Sequence, residues 1–206
     1  MSFFTMAACF VVSYLLGNIQ TGILVGKLAN NIDLRLHGSG SSGATNALRT
    51  LGRQSALLTF AGDCLKGVVA VCFGLWAGGK NGGMLAAVSV IIGHIWPVFF
   101  AFKGGKGVAT SVGVILSLTP LPYALVAIGA GIIVFFLTKT VSLTSLTIVI
   151  LYAVMMIVDS ISTGSFLPFL FGVTMALLVL HAHRENIGRL RSGTEGRITR
   201  DMFERK

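Results

Sequence analysis

The sequence predicts an all-α integral membrane protein, a single domain over residues 1–206 that forms one bundle of about seven transmembrane helices. Apolar residues make up 54% of the chain and charged residues only 11%, and the mean hydropathy is +0.85. A soluble protein of this length carries far more surface charge, so the composition excludes an ordinary soluble enzyme. The apolar residues also fall into stretches of about 20, the length that a helix needs to cross a bilayer.

The predicted spans follow one another along the chain with short polar connections. They cover residues 3–26, 54–77, 83–101, 107–120, 121–138, 141–158 and 166–183. The fourth segment is short, and only the stretch 119–122, which contains two prolines, separates it from the fifth. Two arrangements are therefore open: seven spans, or six spans and a re-entrant segment.

The second predicted span contains two charged residues, Asp63 and Lys66, three positions apart. Charges inside a membrane are costly and usually face the bundle interior in pairs. The spacing therefore predicts an internal ion pair or a part of the polar site.

The distribution of basic residues predicts the orientation of the chain. With the N-terminus outside, the inside loops hold Lys27, Arg35, Arg49, Arg53, Lys103, Lys106 and Lys139, and the C-terminal tail holds every Lys and Arg from Arg184 onward. Of the 16 Lys and Arg residues, only Lys80 then lies outside and Lys66 within a span. We predict an outside N-terminus and a cytoplasmic C-terminus.

The net charge of +9 then belongs mainly to the cytoplasmic face. Such a face suits anionic lipid headgroups and anionic substrates. Nucleic acid is not an expected partner, because no base-stacking aromatic residues accompany the charges.

The first polar segment on the inside face is GSGSSGATNALR at residues 38–49, preceded by His37. Glycine and serine at this density allow a tight loop whose N–H and hydroxyl groups converge on an anion. Arg49 has the forked geometry that grips phosphate, and Thr45 or Asn46 is suited to cap a helix. The alternative interpretation is a flexible Gly/Ser linker.

The second polar segment is GHIWPVFFAFKGGKGVAT at residues 93–110. Its glycines let backbone N–H groups approach an anion, its lysines supply charge, and a helix begins directly after it, which together predict a phosphate site. Alternatively, Lys103 and Lys106 are interfacial anchors that snorkel to lipid headgroups. His94 lies on an apolar helix, where a packed histidine is the simpler interpretation than a catalytic one.

The third polar segment is HRENIGRLRSGTE at residues 183–195. On a helix, His183 and Asn186 share a face because they are three positions apart. No third metal ligand accompanies the histidines, so no metal site is predicted. The alternative interpretation is a basic tail that binds anionic lipid.

Together and in this order, the three segments closely resemble those of the bacterial acyl-phosphate:glycerol-3-phosphate acyltransferase family. The resemblance extends over nearly the whole chain and includes Gly62-Asp63 and Lys66-Gly67. It implies an inner-membrane enzyme of phospholipid synthesis that transfers an acyl group from acyl phosphate to the 1-hydroxyl of sn-glycerol 3-phosphate. The implied products are 1-acyl-glycerol 3-phosphate (lysophosphatidic acid) and phosphate, and the topology implied for the family is the one predicted from charge.

The resemblance also implies the residues of the site. The expected catalytic residues are Ser39, Arg49, His183 and Asn186. The expected substrate-binding residues are His37, Thr45, Asn46, Lys103, Gly104, Gly105, Lys106 and Gly107. Glu195 matches a glutamate expected to be structural. The chain departs from the family pattern at His37, where serine is usual, and at Ser41, where asparagine is usual.

The chemistry follows from the substrates. An acyl phosphate already carries a good leaving group, so catalysis needs charge stabilisation and orientation, and no cofactor or metal is expected. The His-x-x-x-x-Asp pattern of another class of glycerolipid acyltransferase is absent from the sequence. His183 is the best candidate for a general base, and the rival hypothesis is that a substrate phosphate accepts the hydroxyl proton.

A different functional class remains as an alternative, namely a membrane transporter of glycerol 3-phosphate or a similar phosphate ester. Its expected marks are inverted repeats and broken helices at the membrane midplane. Here the polar residues lie at one predicted face and no repeat is visible, which favours the enzyme. The expected partners are acyl phosphate, sn-glycerol 3-phosphate and membrane lipids, and the sequence leaves the oligomeric state open, a monomer included.

Overall fold

The computed structural model describes residues 1–199 and 201–204, and all regular elements within this part of the chain are helices. In chain order the α-helices are α1 (Phe3–Gly17), α2 (Thr21–Asn30), α3 (Ala44–Leu51), α4 (Arg53–Ile95), α5 (Val108–Leu118), α6 (Leu121–Thr138), α7 (Val141–Thr163), α8 (Phe166–Ala182), α9 (Arg184–Arg191) and α10 (Asp201–Glu204). Short 3-10 helices cover Leu34–Leu36 and Val98–Phe100. The predicted all-α class is confirmed. Arg200, Arg205 and Lys206, which contribute to the predicted charge asymmetry, lie outside the described residues.

Helix α4 is a hairpin of two arms. Gly78 and Gly79 leave helical geometry, and Gly79 adopts a φ of 59°. A Cβ atom on Gly74 would collide with the carbonyl of Gly82, although eight residues of straight helix span roughly 12 Å. The arms at residues 53–78 and 79–95 therefore run side by side, at the positions of the second and third predicted spans.

Among the described residues, four apolar stretches are long enough to cross a membrane: Phe3–Ala29, Arg53–Phe100, Leu121–Thr138 and Val141–Thr163. The pair α8 and α9, bent by 66°, raises the number to five if it counts as one span. Helix α5 has only 11 residues, in agreement with the expected short fourth segment. These helices support an integral membrane protein, whereas the count of seven and the orientation stay predictions.

Contacts within the chain define two compact units, of which the first contains residues 1–118 and α10. Glycine pairs let its helices approach closely. Gly17 of α1 faces Gly93 in the second arm of α4, and Gly113 of α5 lies against the carbonyl of Cys64 in the first arm. A side chain at any of these glycines would collide with backbone atoms of the neighbouring helix.

The predicted first span is interrupted, which corrects the expectation of one continuous helix over residues 3–26. Helix α1 ends at Gly17 and α2 begins at Thr21. The break frees the carbonyl groups of Gly17 and Ile19 from helical bonding, and both accept hydrogen bonds from Lys66, at 3.2 and 2.6 Å. The break thus exists because a partner from α4 satisfies the carbonyls.

The second unit contains residues 119–198, where α7 packs against both α6 and α8. Gly131 of α6 lies against Ile148, and the rings of Tyr152 and Phe171 meet edge to face with centroids 6.3 Å apart. After α9 the chain turns back, and the N–H of Ile198 donates to the carbonyl of Lys139 at 2.8 Å. This bond fastens the segment after α9 to the turn between α6 and α7.

Candidate active site

The side-chain amide of Asn46 holds the first polar segment in one conformation. Its nitrogen donates to the carbonyls of Leu34, His37 and Ser41 at 3.0, 3.0 and 2.9 Å, and its oxygen accepts the N–H of Ser39 at 2.9 Å. Asn46 itself is only 1% exposed. The segment is therefore an ordered loop, and the flexible-linker interpretation is wrong.

Helix α3 starts directly after this loop. Its N-cap is Gly43, which corrects the expectation that Thr45 or Asn46 caps the helix. The chain enters the helix early because the amide of Asn46 is used inside the loop. Ser39 and His37 lie exposed in the loop, while Thr45 and Arg49 lie one turn apart on the same side of α3.

Arg35 connects this loop to the second polar segment. From the sequence, Arg35 was considered only as one of the basic residues that determine the orientation. Its guanidinium forms an ion pair with Asp33 at 2.8 Å and lies 5.6 Å from the centre of the Phe100 ring. It also donates to the carbonyl of Phe100 at 3.5 Å. The hydrogen bond from Arg35 lowers the pKa of the Asp33 carboxyl from 3.8 to about 2.

The loop of the second polar segment is fastened to the end of α4. The N–H of Gly104 donates to the carbonyl of Ile95 at 3.2 Å, and that of Gly105 to the carbonyl of His94 at 3.1 Å. The expectation that these two N–H groups face an anion is therefore wrong. Both positions need glycine because a Cβ atom would collide with the carbonyl of His94 at Gly104 and with the ring of His94 at Gly105.

The end of the same loop does match the predicted phosphate-site geometry. Gly107 has a φ of 78°, which favours glycine, and α5 begins at the next residue. Lys106 lies two residues before the first residue of α5 and is half-buried. Lys103, three residues earlier, is exposed. The N–H groups at the start of a helix carry partial positive charge, so this place is suited to an anion.

A buried ion pair lies beneath the loop. The ammonium of Lys66 is 2.9 Å from the carboxylate of Asp63, and both side chains are almost completely buried. This confirms the predicted internal pair. The Nδ1 atom of His94 lies 2.7 Å from the same ammonium, and His94 is 2% exposed, as expected for a packed histidine.

In the second unit, His183 lies at the bend between α8 and α9 and is 2% exposed. Its Nδ1 atom is 2.8 Å from the carbonyl of Val179. A carbonyl only accepts, so Nδ1 carries the proton of that bond, and in the neutral ring Nε2 is the unprotonated nitrogen. This tautomer is the one that a general base acting through Nε2 requires.

Glu195 holds the side chain of Asn186, the motif residue three positions after His183. Its carboxylate accepts hydrogen bonds from Asn186 at 2.5 Å and from Arg189 at 2.7 Å. Burial raises the pKa of the Glu195 carboxyl, but the hydrogen bonds from Asn186 and Arg189 outweigh burial and leave the pKa below its usual value. These contacts agree with the structural role that the resemblance implied for Glu195.

Comparison with known proteins gives consistent matches along the chain. The family model described as glycerol-3-phosphate acyltransferase matches residues 7–193. A curated glycerol-3-phosphate acyltransferase of Alkaliphilus metalliredigens is 43% identical over 188 residues, which cover 91% of this chain and 93% of the relative.

Two solved structures are also similar. The crystal structure of PlsY (YgiH), an integral membrane glycerol 3-phosphate acyltransferase, in its glycerol 3-phosphate form matches with a TM-score of 0.85 and 34% identity, covering 94% of this chain and 96% of that chain. The form with lysophosphatidic acid matches with a TM-score of 0.83 and 32% identity, covering 98% and 99%.

Proposed function

The chain belongs to the glycerol-3-phosphate acyltransferase family, and we propose that it takes its acyl group from an acyl phosphate at the cytoplasmic face of the bacterial inner membrane. It is a membrane enzyme that acylates glycerol 3-phosphate. In the proposed reaction the 1-hydroxyl oxygen attacks the acyl carbonyl carbon. The bond from that carbon to the phosphate oxygen breaks, and lysophosphatidic acid and inorganic phosphate leave.

The observation that carries the proposal is the loop that ends in Lys106 and Gly107 at the start of α5. Both proposed substrates bring a phosphate, and a helix start with an adjacent lysine suits one. We assign the phosphate of glycerol 3-phosphate to this loop from Lys103 to Gly107, as the family resemblance implies, with Gly104 and Gly105 shaping the loop through their bonds to α4. We assign binding of the same two substrates to His37, Ser39, Thr45 and Arg49. Asn46 contributes indirectly, because its hydrogen bonds hold the loop in place.

In the second unit we assign proton transfer to His183 and substrate orientation to Asn186. The tautomer of His183 supports this role, because the bond to Val179 leaves Nε2 as the basic nitrogen. The rival is that a substrate phosphate takes the proton. For His183→Gln we expect kcat to fall roughly 100-fold or more, within the range of general-base catalysis, measured at saturating substrates. Activity near that of the wild type would remove His183 as the base.

The orientation rests on charge. An outside N-terminus places all but two of the Lys and Arg residues at the cytoplasmic face, where glycerol 3-phosphate is made available in a bacterium and anionic lipid attracts basic loops. The acyl chain of the donor is expected to reach the site from the lipid, since the flanking helices are apolar. We propose that residues 1–206 act as one catalytic domain.

The test is phosphate release by the purified protein in lipid, given acyl phosphate with and without glycerol 3-phosphate. Palmitoyl-CoA serves as the parallel donor and Lys106→Ala as the binding-site variant. We expect release that depends on glycerol 3-phosphate, yields lysophosphatidic acid, does not occur with palmitoyl-CoA and is lost in the variant. Turnover with palmitoyl-CoA instead would overturn the proposed donor, and uptake of glycerol 3-phosphate into vesicles without turnover would favour a transporter.

A further inference from the structure

We propose that a buried polar network formed by Asp63, Lys66, His94, Gln20 and Ser42 positions the Gly104–Gly107 loop for glycerol 3-phosphate. The inference rests on the proposed function of that loop and concerns residues that do not themselves touch substrate. All five side chains lie in the first unit, and each residue is at most 5% exposed.

The centre of the network is the ammonium group of Lys66. Its nitrogen forms an ion pair with the carboxylate of Asp63 at 2.9 Å and donates hydrogen bonds to the carbonyls of Gly17 and Ile19 at 3.2 and 2.6 Å. Nδ1 of His94 lies 2.7 Å from the same nitrogen. A carboxylate and two carbonyls only accept, so these three neighbours are suited to a charged ammonium, which has three N–H donors and no acceptor. Lys66 thereby joins the break after α1 to both arms of α4.

The bond from Lys66 determines which ring nitrogen of His94 carries the proton. An ammonium only donates, so Nδ1 of His94 accepts and the ring proton lies on Nε2. That edge of the ring faces Gly105, where a Cβ atom would collide with Nε2. The carbonyl of His94 accepts the N–H of Gly105 at 3.1 Å, so one residue holds the loop through both its ring and its backbone.

A second branch extends the network to the other polar loop. The amide nitrogen of Gln20 donates to the carbonyl of His94 at 3.2 Å, and its oxygen accepts the hydroxyl of Ser42 at 2.6 Å. The same hydroxyl lies 3.2 Å from the position of a Cβ atom on Gly105. The GSGSSG loop and the GGKG loop are therefore held against each other by buried groups whose hydrogen-bonding geometry admits little adjustment.

This arrangement has a consequence for the enzyme's kinetics. A bound phosphate needs Lys106 and the start of α5 in a fixed place, and small displacements of positioning groups reduce catalysis strongly. Loosening the network is expected to weaken the productive binding of glycerol 3-phosphate selectively. A general loss of folding would instead lower the amount of active protein and leave the KM of each substrate unchanged.

The first experiment compares Ser42→Ala and His94→Asn with Ser89→Ala. Ser89 is a matched control, since it is also buried but bonds only within its own helix, to the carbonyl of Leu85. In His94→Asn the amide oxygen replaces Nδ1, so Lys66 keeps an acceptor while the ring is lost. We expect the KM for glycerol 3-phosphate to rise about three- to tenfold in both network variants, because Ser42→Ala loses one buried hydrogen bond and His94→Asn loses the ring that lies against Gly105. The KM for acyl phosphate should change less than about twofold.

Equal rises in both KM values, or a lower melting temperature with both KM values unchanged, would overturn the positioning role. The second measurement is independent of turnover. In protein labelled with 15N-histidine, the resonance that is absent from His94→Asn should show an unprotonated Nδ1 and a protonated Nε2, and the reverse would overturn the network. If the wild-type protein does not acylate glycerol 3-phosphate, the proposed function fails, while this spectrum still tests the network.

Discussion

Asn46 illustrates at the residue scale how a motif residue shapes a site without facing the ligand. Its amide nitrogen points at three carbonyl oxygens, and its oxygen accepts a backbone N–H. No other residue type of this size offers two donors and an acceptor in this arrangement. The motif therefore contains an asparagine because the loop needs one.

We predict that Asn46→Asp destabilises the protein although the side chains have the same shape. The substitution replaces the donor nitrogen by an oxygen that faces three carbonyls at 2.9–3.0 Å. The expected loss in free energy of unfolding is about 1–3 kcal/mol, measured by chemical denaturation in detergent, with acylation reduced at least tenfold. Asn81→Asp is the control, because Asn81 is exposed at the α4 hairpin, and equal effects at both positions would contradict the argument.

The ion pair of Asp33 with Arg35 predicts an acid-sensitive stability. Because the folded pKa of Asp33 is about 2 and its ordinary value 3.8, the pair stabilises the fold above pH 3.8 and loses this contribution as the pH falls towards 2. In Arg35→Gln the dependence on pH in this window should become shallower, as measured by unfolding at a series of pH values. Arg53→Gln, at an exposed position, should keep the wild-type slope.

At the scale of helices, close packing depends on glycine at a few contacts. Gly113 of α5 lies against the backbone of α4, whereas Gly129 of α6 has open space where a Cβ atom would stand. For Gly113→Ala we predict a loss of about 1–3 kcal/mol of stability, since α5 must move away from α4. Gly129→Ala should be neutral or stabilising by up to about 1 kcal/mol, and thermal unfolding in detergent measures both.

The helices also show how far the sequence determines the fold. Hydropathy located the arms of α4 and the helices α6 and α7 because apolar length is a local property of the chain. The break after α1 was missed, since the cause is Lys66, 47 residues beyond Ile19. For the same reason the motif identified the GGKG loop but not the direction of its N–H groups, which depends on the distant end of α4.

Around the candidate site the sequence predicted the buried ion pair, but not the hydrogen bonds that hold the polar loops. Asp63 and Lys66 were recognised as a pair because both are charged and three positions apart on one helix. The contact of His94 with this pair was not predicted, because His94 lies 28 residues after Lys66 in the sequence and meets it only in the folded structure. Arg35 was missed because a surface arginine gives no local sign of a contact with Phe100.

For the molecule as a whole, the charge asymmetry predicts opposite accessibility of two exposed lysines. In a variant with its three cysteines replaced by alanine, Lys80→Cys should react with a membrane-impermeant maleimide on intact cells. Lys139→Cys should react only after the membrane is permeabilised, because the proposed orientation places the turn after α6 on the cytoplasmic side. The opposite labelling pattern would reverse the proposed orientation, and the unsubstituted cysteine-free protein supplies the background.

The break after α1 also bears on how the protein is made. The carbonyl of Ile19 acquires its charged partner only when residue 66 has been synthesised, whereas that of Gly17 also accepts from the nearby amide of Gln20. Until then the nascent segment keeps the carbonyl of Ile19 without this bond, an unfavourable state in an apolar surrounding that a helix without the break avoids. We therefore expect the N-terminal segment to reach its final packing only together with the first arm of α4.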